Sequence, residues 1–340
     1  MNKVSVWEQL TRLSYLELYT KLVNGAMRLD VFSDLTEPVT AKELAEKRGW
    51  HEANTDYLLS ALVSIGFTEK KGDRFHNSPD ANRLLVKGKP EYLGGFVQYY
   101  SMNEGTMPMD VVKLVTEGPQ PEQSQAMETQ MDFEAMGKML RQAQEGYRQQ
   151  ELLEMVRSLP ENDRIKRVLD MGCATGLLGL AVIGDKDDRT GELFDQLPAP
   201  LLQESVEQAG MADRVSVVSG DFNTDSIGEG YDLILAIGVM LFAKGNMEAL
   251  LRKCYDALNP GGVMLAVSEG IEPDHTGPWD MTLGYLPYYL QGMDMGVLKN
   301  EISDAAKKVG FQCEKRTELL CSGLQDIDIL RKPDVGTGEF

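Results

Sequence analysis

Apolar residues recur every three or four positions from Trp7 to Leu35 (Leu10, Leu13, Leu16, Leu18, Leu22, Val23, Met27, Leu29, Val31, Phe32), predicting one long or two short amphipathic helices. Thr40-Ala-Lys-Glu43 has the spacing of a capping box, so a helix is expected from there to about Arg48, stopping at Gly49. A third helix follows Asn54, with Tyr57, Leu58, Ala61, Leu62 and Ile65 on one face and Gly66 ending it. Phe67 to Phe75 then reads as strand, turn at Gly72-Asp73, strand. Three helices and a two-stranded wing form a winged-helix pattern, which serves either as a dimerisation module or as a DNA reader. The segment that would enter a groove, Asn54 to Ile65, contains no Lys or Arg, which argues against the reader.

From Ser101 to about Gln130 the chain is rich in Met, Gln, Pro and Gly and is expected to be a connector. One long helical pattern, Met131 to Leu159, leads out of it. From Arg167 the periodicity alternates between strands and helices. Strands are expected at Val168–Gly172, Gly191–Asp195, Val215–Ser219, Tyr231–Val239 and Val263–Ser268, with helices from Thr175, over Pro200–Ala209 and over Asn246–Leu258. A helix over Lys299–Val309 and strand-like stretches at Glu314–Leu319 and Asp326–Leu330 complete the pattern. Such alternation implies a parallel sheet covered on both faces, with its ligand at the carboxyl ends of the strands. The resulting division is residues 1–100, a connector with helices lining the site at 101–160, and an α/β domain at 161–333.

Charge narrows the function classes. Lys and Arg total 34 against 53 Asp and Glu, a net charge of −19, which disfavours nucleic acid and anionic membrane surfaces as partners. The four cysteines are scattered without metal-ligand spacing, so no metal is expected, and free thiols in a reducing, cytoplasmic setting are. The first residues carry no uninterrupted apolar run of the secretory type, and the greasiest stretch, Tyr231 to Ala243, is too short to span a bilayer.

The chemistry concentrates in Val168-Leu-Asp170-Met-Gly172-Cys173-Ala174-Thr-Gly176-Leu-Leu-Gly179, a glycine-rich turn between a strand and a helix. Such a turn brings backbone close to a ligand and aims helix N–H groups at it. The dinucleotide fingerprint G-x-G-x-x-G fails twice here, at Ala174 and at Leu177. What remains, an acid two residues before the first glycine, resembles motif I of class I S-adenosylmethionine (SAM)-dependent methyltransferases. More narrowly, the chain is similar over nearly its whole length to the small-molecule O-methyltransferases that include the hydroxyindole and plant phenolic enzymes. Thr40-Ala-Lys-Glu-Leu-Ala-Glu, Phe75-His-Asn-Ser-Pro79, Phe133-Glu-Ala-Met136, Gly220-Asp221-Phe222 and Leu258-Asn-Pro-Gly-Gly262 stand in that family's order.

The resemblance implies a Rossmann-like α/β methyltransferase domain behind a mainly helical, winged-helix-like dimerisation domain, hence a homodimer. It implies SAM as cofactor and S-adenosylhomocysteine as product, held by Asp170, Gly172, Cys173, Gly176, Asp195, Asp221 and Phe222, with Phe133 and Met136 from the preceding helix. Asp195, ending the second strand, suits ribose hydroxyls; Asp221 and Phe222 suit adenine; Cys173 reads as a small filler rather than a nucleophile. The family's catalytic histidine falls at Leu241. Of the three histidines, only His275 lies near the expected site, where it is the candidate base beside Glu269. Met240, Leu241, Phe242, Trp279, Tyr285, Tyr289 and Met293 are the expected acceptor wall, suited to a small, largely apolar, aromatic molecule. Oxygen is the default methyl acceptor; sulfur or carbon, which need no histidine base, or SAM binding without transfer, are the alternatives.

Overall fold

Ser5 and Thr40 open helices by the same device. Each hydroxyl accepts the N–H of a glutamate three residues on (3.2 and 3.1 Å), and each glutamate carboxylate accepts the cap's own N–H (3.1 and 2.8 Å). The computed structural model describes residues 5–102, 110–120, 133–318 and 320–334 and forms two units, Met1–Asn103 with Glu145–Tyr147, and Glu104–Gln144 with Arg148–Phe340.

In the first unit, helices Val6–Arg28, Val31–Asp34, Ala41–Arg48, Glu52–Ser64, Pro79–Leu84 and Gly94–Met102 surround three short antiparallel strands. These are β1 (Val39–Thr40), β2 (Thr68–Lys71) and β3 (Arg74–Asn77), in the order β1-β3-β2. Met27, Phe32, Leu35, Leu44, Leu59, Leu62 and Phe75 form its core. The helix expected after Asn54 begins two residues earlier, because the His51 Nδ1 accepts the Asn54 N–H and acts as the cap.

The second unit is built on seven strands: β4 (Arg167–Met171), β5 (Thr190–Asp195), β6 (Val215–Ser219), β7 (Tyr231–Ile237), β8 (Leu258–Ser268), β9 (Gln312–Thr317) and β10 (Asp326–Arg331). Their order is β6-β5-β4-β7-β8-β10-β9; the first five are parallel, and β10 runs antiparallel to both β8 and β9. Side-chain alternation sorts the core into two layers. Leu169, Met171, Ile234, Ala236, Met264 and Ala266 join residues of helices Met247–Ala257 and Glu301–Val309. Val168, Leu233, Leu235, Val263, Leu265 and Val267 join residues of Tyr147–Arg157, Leu177–Gly184 and Ala199–Gln208. Both faces are therefore buried, as a parallel sheet requires.

Two expectations change. The single helix foreseen from Met131 to Leu159 is two, Phe133–Gln144 and Tyr147–Arg157, with Met131 outside the described residues. Gly146 breaks it at φ +73°, where a Cβ would lie 2.1 Å from the Tyr92 carbonyl oxygen, and the Tyr147 N–H donates to that same oxygen instead of continuing the helix. Within the expected connector, Val111–Glu117 is a helix, capped by Asp110 and ended at Gly118; residues 103–109 and 121–132 lie outside those described.

Candidate functional site

The chain moves from β4 outward to β5 and β6, then returns to the other side of β4 for β7, so the strand order reverses between β4 and β7. Open α/β sheets bind ligands at this point, beyond the carboxyl ends of the strands. The glycine-rich turn lies there. Gly172 has φ +69°, and a Cβ on it would meet Val239 Cγ1 at 2.6 Å, so only glycine lets the turn pack against the segment after β7. Gly172 N–H and Cys173 N–H both donate to the Phe194 carbonyl (2.8 and 3.2 Å), and Gly176, φ +80°, caps helix Leu177–Gly184. Ala174 is left-handed without being glycine, at φ 52°.

Two carboxylates fix the turn. Asp170 is buried and accepts the Gly179 N–H at 2.9 Å. Burial, aided by the charge of Asp195 and opposed by that hydrogen bond, pushes its carboxyl up to about 7. Asp195, half-buried, accepts the Ala174 N–H at 2.7 Å on one oxygen and the Leu197 N–H at 2.9 Å on the other. Burial raises it too, against those two donors. Cys173 is buried beside both acids, and burial drives its thiol well above the ordinary range, so it stays protonated.

Sequence inspection missed what braces the turn from outside. Gln144, buried at the end of helix Phe133–Gln144, donates to the Cys173 carbonyl (2.9 Å) and accepts from Thr175 Oγ1 (2.7 Å). Its amphipathic helix was legible; a lone amide on it carried no signal. The side chains of Phe133 and Met136, earlier on that helix, lie outside those described.

After β6, the Asn223 N–H donates to Asp221 Oδ1 at 2.9 Å, and Phe222 is buried in the same core layer as Met171, Val239 and Met240. Lys253 Nζ donates to the carbonyls of Phe222, Asn223 and Asp225 at 2.9, 3.1 and 2.7 Å, so one ammonium pins this loop. Another missed residue, Lys244, follows the short 3₁₀ turn Met240–Ala243 and donates to Asp294 Oδ1 (2.5 Å) and the Gly296 carbonyl (2.6 Å).

Beyond β8, Glu269 is 2% exposed. It accepts Tyr285 Oη–H on Oε1 at 2.6 Å and the Val297 N–H on Oε2 at 3.3 Å. Burial raises its carboxyl, against those two donors and the nearby Lys244 ammonium. His275 is exposed at φ 57°, its ring edge-on to Tyr289 with centroids 4.9 Å apart. Of the expected acceptor wall, Met240 is buried in the core, Leu241, Tyr285, Tyr289 and Met293 are half-buried, and Phe242 and Trp279 are 60% and 61% exposed.

The donors and acceptors fit a sulfonium nucleoside. Among the described residues no cation pairs with the buried Asp170, and a cationic methionine end would supply one. Each Asp195 oxygen keeps a lone pair for a ribose hydroxyl.

Comparison with known proteins agrees. Residues 140–315 match the family described as methyltransferase domain. The chain is 25% identical over 283 residues to the 3-hydroxy-5-methyl-1-naphthoate 3-O-methyltransferase of Streptomyces sahachiroi (78% of this chain, 77% of the relative). It is 28% identical over 268 residues to the tetracenomycin polyketide synthesis 8-O-methyl transferase TcmO of Streptomyces glaucescens (77% and 78%). The solved structure of human N-acetylserotonin methyltransferase in complex with SAM superposes with a TM-score of 0.65 at 20% identity, covering 98% of this chain and 99% of that one. Because the family match spans more than half of the chain and includes the turn at the strand reversal, the chain belongs to the methyltransferase domain family, as a class I enzyme dependent on SAM.

Proposed function

We propose that the protein methylates a hydroxyl oxygen of a small, largely apolar, aromatic molecule. The observation that carries this reading is the turn at the strand reversal, with Asp170 buried beneath it and Asp195 bound to its backbone. In it, Asp170 and the Gly172–Gly176 backbone face the methionine end, with Cys173 as a small filler. Asp195 accepts from the ribose, and Asp221 and Phe222 flank the adenine. SAM supplies a methyl group on a sulfonium, which leaves the protein to orient the acceptor, exclude water and receive the acceptor's proton. The half-buried and exposed rings of Phe242, Trp279, Tyr285 and Tyr289 suit a flat apolar acceptor. Oxygen follows from the relatives named above. Glu269 is the proton's destination; His275, the base that the sequence offered, is exposed with its ring against Tyr289.

Leu241 favours a second reading. The resemblance puts a histidine at that position, and an apolar side chain there suits a thiol or an activated carbon, which need no strong base. Titration calorimetry with S-adenosylhomocysteine tests the cofactor site; no binding at high micromolar concentration overturns it. Radiolabelled SAM with phenols, thiols and enols then separates oxygen, sulfur and carbon transfer from binding alone.

The first helix supports a homodimer. Trp7, Leu10, Leu13, Tyr15 and Leu18 are all more than 60% exposed, an apolar surface that a second copy would cover. Among the described residues no helix is long and apolar enough to cross a membrane. We place the enzyme in the cytoplasm on the strength of its free cysteines.

A further inference from the structure

At the carboxyl edge of the sheet, most acids are spent on backbone. Asp170 holds the Gly179 N–H, Asp195 the Ala174 and Leu197 N–H groups, and Asp221 the Asn223 N–H. Glu269 differs: one of its oxygens is joined to another ionisable side chain, Tyr285 Oη, at 2.6 Å. Tyr285 lies on helix Trp279–Leu290, none of whose residues is buried, and its half-buried ring carries the hydroxyl that reaches the buried acid. Lys244 connects this corner to the methyl-acceptor wall. It follows the turn bearing Leu241 and Phe242, and its bonds to Asp294 and the Gly296 carbonyl hold the strand of residues whose Val297 N–H secures the second Glu269 oxygen.

We propose that Tyr285 and Glu269 form a proton relay, with Tyr285 the catalytic residue that meets the acceptor hydroxyl. This rests on the oxygen-methylation reading above. The acceptor's hydroxyl proton passes to Tyr285 Oη as the tyrosine's own proton passes to Glu269 Oε1. The acceptor oxygen bonds to the methyl carbon, and the carbon–sulfur bond breaks with its electron pair going to sulfur. One sulfonium and one carboxylate enter; a thioether and a carboxylic acid leave. Both buried charges are removed together, and a carboxylate already disfavoured by burial gains most from the proton.

The test uses the full-length protein, its Tyr285→Phe, Glu269→Gln and His275→Ala variants, radiolabelled SAM, and two acceptors, 1-naphthol and 4-nitrophenol. With 1-naphthol, Tyr285→Phe and Glu269→Gln should each lower kcat on the order of a hundredfold. The loss should shrink to less than about tenfold with 4-nitrophenol at pH 8, because that acceptor arrives ionised and needs little general-base help. S-adenosylhomocysteine affinity should stay within about threefold, since neither group is placed on the cofactor. A readout independent of turnover is the visible absorption of 4-nitrophenol bound with S-adenosylhomocysteine. The wild type should hold it as phenolate at a lower pH than Tyr285→Phe does. Equal losses for both phenols, wild-type kcat in Tyr285→Phe, or a larger loss with His275→Ala than with Tyr285→Phe each overturn the relay while the wild type still makes labelled ether. If the wild type makes no labelled ether from either phenol, the oxygen-methylation reading fails and the relay falls with it.

Discussion

Replacing Asp170 by Asn separates what this acid costs the protein from what it contributes to the cofactor. Asn keeps an oxygen for the Gly179 N–H and removes the charge. The native carboxyl titrates at about 7 instead of 3.8, chiefly through burial, so keeping it ionised in the unliganded protein costs on the order of 4 kcal/mol. An acid raised on folding stabilises while it stays protonated: its contribution is complete below the unfolded pKa and vanishes as pH climbs through the folded one. Wild-type stability should therefore fall by about 2–3 kcal/mol between pH 5 and pH 8 relative to Asp170→Asn, with the titrating groups other than its neighbours Asp195 and Cys173 cancelling in the difference. Cofactor binding should run the other way. If the charged methionine end needs the ionised acid, wild-type affinity for S-adenosylhomocysteine rises as pH increases towards 7, with proton release into the buffer. The variant should bind more weakly at pH 8, by about tenfold or more, and without pH dependence. Urea unfolding at the two pH values and calorimetry in buffers of different ionisation enthalpy measure both slopes. Parallel slopes for wild type and variant would falsify the assignment.

Gly172→Ala should lower Tm and abolish S-adenosylhomocysteine binding, because a left-handed alanine costs about 1–2 kcal/mol and its Cβ would sit 2.6 Å from Val239 Cγ1; a wild-type affinity would contradict the tight packing of the turn. Asp195→Asn sets an amide donor against the N–H of Ala174 or Leu197, and should destabilise by about 1–3 kcal/mol and weaken cofactor binding at least about tenfold, read by denaturation and calorimetry. Leu13→Glu, on the exposed face of the first helix, should halve the mass seen by sedimentation equilibrium without changing the circular dichroism spectrum; an unchanged mass removes that face from the interface.

The α/β domain was legible because its strands are continuous apolar runs and its breaks are glycines. Val215–Ser219 was placed to the residue, and Gly191–Asp195 within one. Gly172 and Gly176 announced a turn that only positive φ allows. Gly146 announced nothing of the kind, since one glycine inside an amphipathic pattern is normally tolerated, and the Tyr92 carbonyl that stops the helix lies more than fifty residues away in sequence. His51 as a cap was hidden for a related reason: imidazole seldom takes that part, and Asn54 looked more typical. At the site, single acids at strand ends were visible. The groups that brace the site were not, because Gln144 and Lys244 reach backbone carbonyls from other elements and carry no local pattern, and Tyr285, expected on the acceptor wall, gave no sign of its bond to Glu269.

The last strand in sequence, β10, is not the last in space: it slots between β8 and β9. During synthesis β8 therefore emerges with the N–H and C=O groups of one edge unpaired and waits for a segment made about sixty residues later. The nascent domain should depend on chaperone protection over that interval, and substitutions that weaken β10 should show up first as insoluble protein rather than as impaired catalysis.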